Sequence, residues 1–369
     1  IKFYLLNFYK DEKSNGKLSV NFKKNNDKIS LDNLSFISNK DKFFIKKLDL
    51  SNEYNLIDFA KLKFNYKDKN KIKNDLVITR KKNHYLIEGN NFSLSNIIEN
   101  ILTGSNSNKT KLFRNKPRNF KIKFNENNID KDHIIYDLQG EITVNKSEID
   151  KLNLKSKFYD GKEIFLSISN KDNQKITTFY SDLAKPFVKK FKFIKGFEEG
   201  KINYSSKKIN NISNSYLNIY DFKLKQLPAL TKLLTLASLQ GISDILTGEG
   251  VRFDEFEMIF SNENKLMKID EIYSIGPAIS IMMDGYIQND ELVSLKGTLV
   301  PATTINKFVS SIPILGEILV GKKTGEGVFG VSFKIKGHPD NLKTTVNPIK
   351  TLTPRFITRT LEKIKKTNQ

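Results

Sequence analysis

The residue types that carry most enzyme chemistry are sparse in this chain, and their spacing is poor. Cys is absent, which removes thiolate metal sites, Cys nucleophiles and disulfide scaffolds and leaves the redox compartment open. The three histidines, His84, His133 and His338, are isolated in sequence, without a second ligand or a base partner at useful spacing. They read as exposed or locally satisfied side chains. Gly316-Glu-Ile-Leu-Val-Gly-Lys-Lys323 approaches a phosphate loop, yet Lys323 stands where a Ser or Thr must hold magnesium. The flanking pattern also lacks the strand before and the helix after. Asp254-Glu-Phe-Glu257 is an acidic run on a strand pattern and reads as a solvated face, not an acid–base pair. A Gly-x-Ser-x-Gly elbow does not occur. Neither catalytic residues, nor a metal site, nor a cofactor is expected.

The elements that would position any site are strands. Residues 16–22, 28–31, 61–66, 121–124, 140–144, 200–204 and 328–335 each alternate apolar and polar side chains. Such period-2 runs, bounded by Asn-, Asp- and Gly-containing turn clusters, predict half-buried strands in antiparallel meanders. Helical spacing is confined to short stretches at 93–102, 180–191, 228–246, 303–320 and 354–366, with Pro313 breaking the fourth. The polar stretch 103–119 is the best place for a boundary. It suggests an N-terminal β-segment over 1–110 and a C-terminal module with capping helices over 111–369.

Composition bounds the partners. The chain has 369 residues, 62 Lys plus Arg against 41 Asp plus Glu, and a formal net charge of +21. Hydrophobic content of 38%, with 27 Phe and 13 Tyr, is too high for a disordered chain. Arg occurs only at 80, 114, 118, 252, 355 and 359, and Asn is abundant, a bias that AT-rich coding would produce whatever the function. A nucleic-acid binder favours Arg forks and basic stripes, whereas these Lys are spread along the polar faces of most strands. Nucleic acid is therefore not an expected partner. The weakly charged stretches 233–246 and 308–320 fall short of the roughly 20 apolar residues of a spanning helix. The sequence opens at Ile1 inside a strand-like run, so we expect the C-terminal piece of a longer protein, with any anchor upstream.

A series of motifs then adds to the pattern. Leu227-Pro-Ala-Leu-Thr-Lys-Leu-Leu-Thr-Leu-Ala-Ser-Leu-Gln-Gly241 runs into Asp244-Ile-Leu-Thr-Gly-Glu-Gly-Val-Arg-Phe253. Gly276-Pro-Ala-Ile279, Gly297-Thr-Leu-Val-Pro301, Ile312-Pro-Ile-Leu-Gly316, Gly325-Glu-Gly-Val-Phe-Gly-Val331, Gly337-His-Pro-Asp340 and Val346-Asn-Pro348 follow in order. Over residues 198–358 this resembles the AsmA-like C-terminal family of YhdP-type, TamB-related bridge-like lipid-transfer proteins. Its Lys- and Asn-rich composition departs from relatives that carry Arg, Asp and Gly. The resemblance implies a periplasmic, inner-membrane-anchored protein of the Gram-negative envelope. Its elongated, curved antiparallel sheet would form an open groove that carries phospholipid toward the outer membrane, with an unknown envelope protein as a further partner. It brings no catalytic residues.

Two candidate surfaces follow. On 277–287, alternation puts Ile279, Ile281, Met283 and Ile287 on one face and Ser280, Asp284 and Tyr286 on the other, with Met282 the exception. Phe329, Val331, Phe333 and Ile335 make a similar face. These eight are the candidate acyl-chain lining. Arg355, Arg359, Lys363 and Lys366 recur at helical spacing, with Ile357, Leu361 and Ile364 on another face. That basic amphipathic pattern suits a membrane surface, and equally a solvated closing helix. The alternative function, a structural envelope protein with a closed β core and no ligand, stays open.

Overall fold

A computed structural model describes residues 2–3, 8–9, 14–24, 28–68, 70–94, 117–130, 132–145, 148–188, 195–226, 249–288, 291–301, 330–349 and 359. The chain is mainly β and mostly antiparallel, as its alternation requires. It forms two compact units, Ile1–Asp182 and Leu183–Gln369. The strands of the first are β1 (Lys2–Phe3), β2 (Phe8–Tyr9), β3 (Lys17–Lys24), β4 (Lys28–Ser38), β5 (Asp41–Ser51), β6 (Leu56–Lys67) and β7 (Lys73–Arg80). They continue with β8 (Tyr85–Ser93), β9 (Arg118–Asn128), β10 (Ile134–Asn145), β11 (Glu148–Lys157), β12 (Glu163–Lys171) and β13 (Gln174–Ser181). The second unit has helix α1 (Lys185–Val188), β14 (Lys195–Ile209), β15 (Ile212–Gln226), β16 (Val251–Glu263), β17 (Leu266–Ile275), β18 (Ile279–Gln288), β19 (Leu292–Pro301), β20 (Gly330–His338) and β21 (Asn341–Ile349).

In unit 1 each strand from β3 to β13 pairs with the next, and the pairing is antiparallel at every step except β8–β9. That step is parallel, with Tyr85 opposite Phe120 and Gly89 opposite Phe124. The ladder thus runs on both sides of the boundary expected at 110/111, and the two units meet in sequence at Asp182/Leu183. In unit 2 a second antiparallel ladder runs from β14 to β21 in sequence order. Tight hairpins explain the regularity. The two-residue links opened by Asn39, Asp172, Asn210 and Asn264 place those residues at φ 53, 52, 53 and 54°, where Asn and Asp suffer least.

The strands also shift phase internally. Lys47, Asp137 and Asp221 have φ of 51, 53 and 52° in mid-strand. At each, two consecutive residues point to the polar side: Ile45 and Leu48 flank Lys46–Lys47, Ile135 and Leu138 flank 136–137, and Ile219 and Phe222 flank 220–221. One left-handed residue therefore keeps the apolar face continuous past a fault that plain alternation would turn outward.

Helix is nearly absent among the described residues, and none there is long and apolar enough to cross a membrane. Of the expected helix over 180–191, the first two residues belong instead to β13, where Tyr180 and Ser181 pair with Phe165 and Ile164. Among its described residues the turn α1 is helical, held by the fully buried Phe187 and by the Ala184 amide donating to Gly200 O at 2.7 Å, and 189–191 lie outside the described residues. The stretches 228–246 and 303–320, most of 93–102 and all of 354–366 except Arg359 lie outside the described residues.

Candidate functional site

The apolar face of unit 2 is assembled by register. β19 lies between β18 and β20, so Ile281, Leu299 and Val331 form one row across three strands. Met283, Gly297, Phe333 and Val346 form the next, one strand longer. Ile281 and Met283 from one candidate segment thus share a face with Val331 and Phe333 from the other. Phe329 lies outside the described residues.

Burial divides this face. Ile279 and Leu299 are 0% exposed, and Ile281, Val331 and Phe333 are no more than 6% exposed. Met283, Ile287, Leu295 and Ile335 are only half-buried. The half-buried region continues toward β14 through Met267, Met258, Phe256, Leu217 and Tyr204, around the buried Phe260, Ile269 and Ile272. Four methionines are present in the chain, and Met258, Met267 and Met283 all lie here. Unbranched thioether side chains suit a surface that must fit variable apolar partners.

Unit 1 repeats the arrangement. Phe59, Tyr85 and Phe120 are buried, with Leu48, Leu56, Leu62, Ile78, Ile87, Ile142 and Val144 half-buried around them. Tyr85 stacks on Phe120 with ring centroids 5.2 Å apart, and its hydroxyl donates to Asp58, which also pairs with Arg80. Burial, and then the bond to Asp58, push the Tyr85 hydroxyl up to about 12. At another part of this face Phe8 of β2 is almost fully buried among Phe36, Phe43 and Tyr66.

The three histidines sit in or beside turns. His133 Nδ1 lies 2.8 Å from Asp130 Oδ1, which also accepts from the amides of Asp132 and His133. Asp130, Asp132 and His133 thus come together, in a turn closed by Asp130 itself. His338 Nδ1 lies 3.5 Å from Asp340 Oδ2, both exposed. His84 closes the β7–β8 turn through its carbonyl, which accepts from the Lys81 amide at 2.8 Å.

The acidic run is only in part the solvated face its sequence suggests: Asp254 is exposed, whereas Glu257 is enclosed. Glu257 is 7% exposed and accepts from the Tyr216 hydroxyl at 2.8 Å, while Asn218 donates to Glu255 at 3.0 Å. The Arg359 guanidinium donates to Glu257 and, on β17, to Glu271, at 2.6 and 2.7 Å. Arg359, one of the four candidate membrane-surface residues, is therefore ion-paired to the sheet. Arg355, Lys363 and Lys366 lie outside the described residues. Sequence reasoning missed this network, and its one local signal was an Arg in a chain where 56 of the 62 basic residues are Lys.

The described strands thus carry a continuous, partly exposed apolar face in each unit, and polar groups tied into turns and ion pairs. No family model matches the chain, and neither a curated protein nor a solved structure matches it.

Proposed function

We propose that this chain is a non-enzymatic lipid-carrying module. Each sheet curls round its apolar face into an open groove, and phospholipid acyl chains lie in it while head groups stay in water. The observation that carries this reading is the half-buried stripe formed by Tyr204, Leu217, Phe256, Met258, Met267, Met283, Ile287 and Leu295. An acyl chain spans half of a hydrocarbon core of about 30 Å. Roughly five residues along a strand, or three neighbouring strands, would shelter it. A continuous apolar stripe lets the chain slide without exposing each CH₂, which costs about 0.8 kcal/mol. Such transport needs few specific contacts. The resemblance over 198–358 supports the same reading and extends it: part of a longer periplasmic protein anchored in the inner membrane, moving phospholipid between inner and outer membranes.

One observation favours a second reading, a structural envelope module that binds no ligand. The face is filled around Ile279 and Leu299, both 0% exposed. In the carrier reading this filled part closes the groove and the half-buried part is the lipid path. The test is lipid extraction and mass spectrometry of the purified chain, beside Ile287→Asp and Ile335→Asp. Stoichiometric phospholipid in the wild type, lost from folded variants, is expected. Lipid-free wild type together with unfolded variants would establish the structural reading.

A further inference from the structure

The site opposite the apolar face of unit 2 is built to hold one planar cation. Glu257 on β16 and Glu271 on β17 are adjacent on the same side of the sheet, because Glu271 faces Ile259 and Tyr273 faces Glu257 across the ladder. Both carboxylates are more than nine-tenths buried. Two buried carboxylates side by side repel each other and lose hydration, so the fold tolerates them only with a cation between them. Arg359 supplies it. Its Nε donates to Glu271 Oε1 at 2.7 Å and an Nη to Glu257 Oε2 at 2.6 Å, and its Cζ lies 5.6 Å from the centre of the Tyr273 ring.

A further set of residues orients the acceptors. Tyr216 donates to the other oxygen of Glu257 at 2.8 Å, and Asn218 donates to the Tyr216 hydroxyl at 3.1 Å. A fork with two separate donors and an aromatic face beneath suits guanidinium geometry. A lysine ammonium, a point charge, cannot reproduce it. The chain offers 62 cationic side chains, all but six of them Lys, and an Arg occupies this position.

We propose that Glu257, Glu271 and Tyr273 form a guanidinium-binding site whose resident ligand is the chain's own Arg359, and that this site fastens the C-terminal segment to the sheet. Arg359 is 88 and 102 residues from its partners, so the contact ties the end of the chain to the middle of unit 2. The proposal is independent of lipid carriage.

Chemical rescue tests it. Arg359→Ala should melt at a lower temperature than wild type. Millimolar ethylguanidinium should raise its melting temperature saturably while leaving wild type unchanged. Arg359→Lys should stay destabilised, and Glu257→Gln with Glu271→Gln should abolish the rescue. If Arg359→Ala does not fold alone, refolding yield with and without ethylguanidinium replaces the melting curve. An equal response of wild type and variant in whichever assay applies, or an Arg359→Lys protein as stable as wild type, overturns the proposal.

Discussion

The ring of Phe333 lies across Gly297, its register partner on β19, so closely that a β-carbon at 297 would sit 2.8 Å from Phe333 Cζ. Unit 1 uses the same device. Gly89 faces Phe124 in the β8–β9 register, and a β-carbon there would lie 2.6 Å from Phe124 Cε1. In both places a glycine without a side chain leaves the space that a large ring of the neighbouring strand occupies. The backbone of the strand on the other side is close as well, with Met282 O 2.3 Å from a β-carbon at 297 and Asp75 O 2.2 Å from one at 89, so neither glycine has room for a side chain. Gly297→Ala should therefore destabilise by about 1–3 kcal/mol, through overpacking. Denaturant unfolding measures it, and a change below the error of the extrapolation would contradict the packing described.

Charge placed on the apolar face should separate its two parts. Ile281→Asp and Phe333→Asp bury a carboxylate without a partner, at a cost of about 5 kcal/mol or more, comparable to the stability of a whole domain. Ile335→Asp lies on the same face of β20 but is half-buried, and should cost about 1–2 kcal/mol. Circular dichroism melts of the three variants check the order. Equal loss at all three positions would remove the distinction between filled and open parts.

The mid-strand phase shifts depend on backbone conformation and can be tested where the side chain does little. Lys47 is exposed, with φ at 51°. Lys47→Val should destabilise by about 1–3 kcal/mol, because a β-branched residue resists the left-handed region. Lys47→Gly should be at least as stable as the parent. A Val variant as stable as the parent in urea would mean that the strand passes this point without the shift.

Alkaline pH should weaken unit 1. The Tyr85 hydroxyl ionises at about 12 when folded and at 10.0 in its reference state, owing to burial and to its bond with Asp58. Between those values the unfolded chain has lost the proton and the folded chain keeps it. Stability is therefore fully present below the lower value and falls as pH rises toward the upper one. Burial raises Tyr66 too, with the same sign. Tyr85→Phe should make the decline in urea midpoint between pH 10 and 12 shallower, and an unchanged slope would assign it to other groups.

Much of the fold was legible because a strand's two faces are written with a period of two. The placement of Ile281, Met283 and Ile287 opposite Asp284 and Tyr286 needs nothing beyond local alternation. Met282, the apolar residue that breaks that alternation, lies on the polar side, paired with Tyr273 and Thr298. The phase shifts were legible in principle as well, as apolar residues three apart around Lys47, Asp137 and Asp221.

Pairing is different, because register depends on residues far apart in the chain. Period-2 spacing does not say that β19 brings Ile281 and Val331 into one row, or that β8 and β9 run parallel. Nor does it say how much of a face is covered: Ile279 and Ile335 have the same apolar character, yet one is enclosed and the other half open. Arg359 is the sharpest case. Its own segment reads as a basic amphipathic pattern suited to a membrane surface, and only the tertiary structure puts two carboxylates, 88 and 102 residues away, around it. Sequence patterns state which side of a local element is apolar. The partner that a side chain meets is a property of the folded chain, since burial and charge pairing act through space.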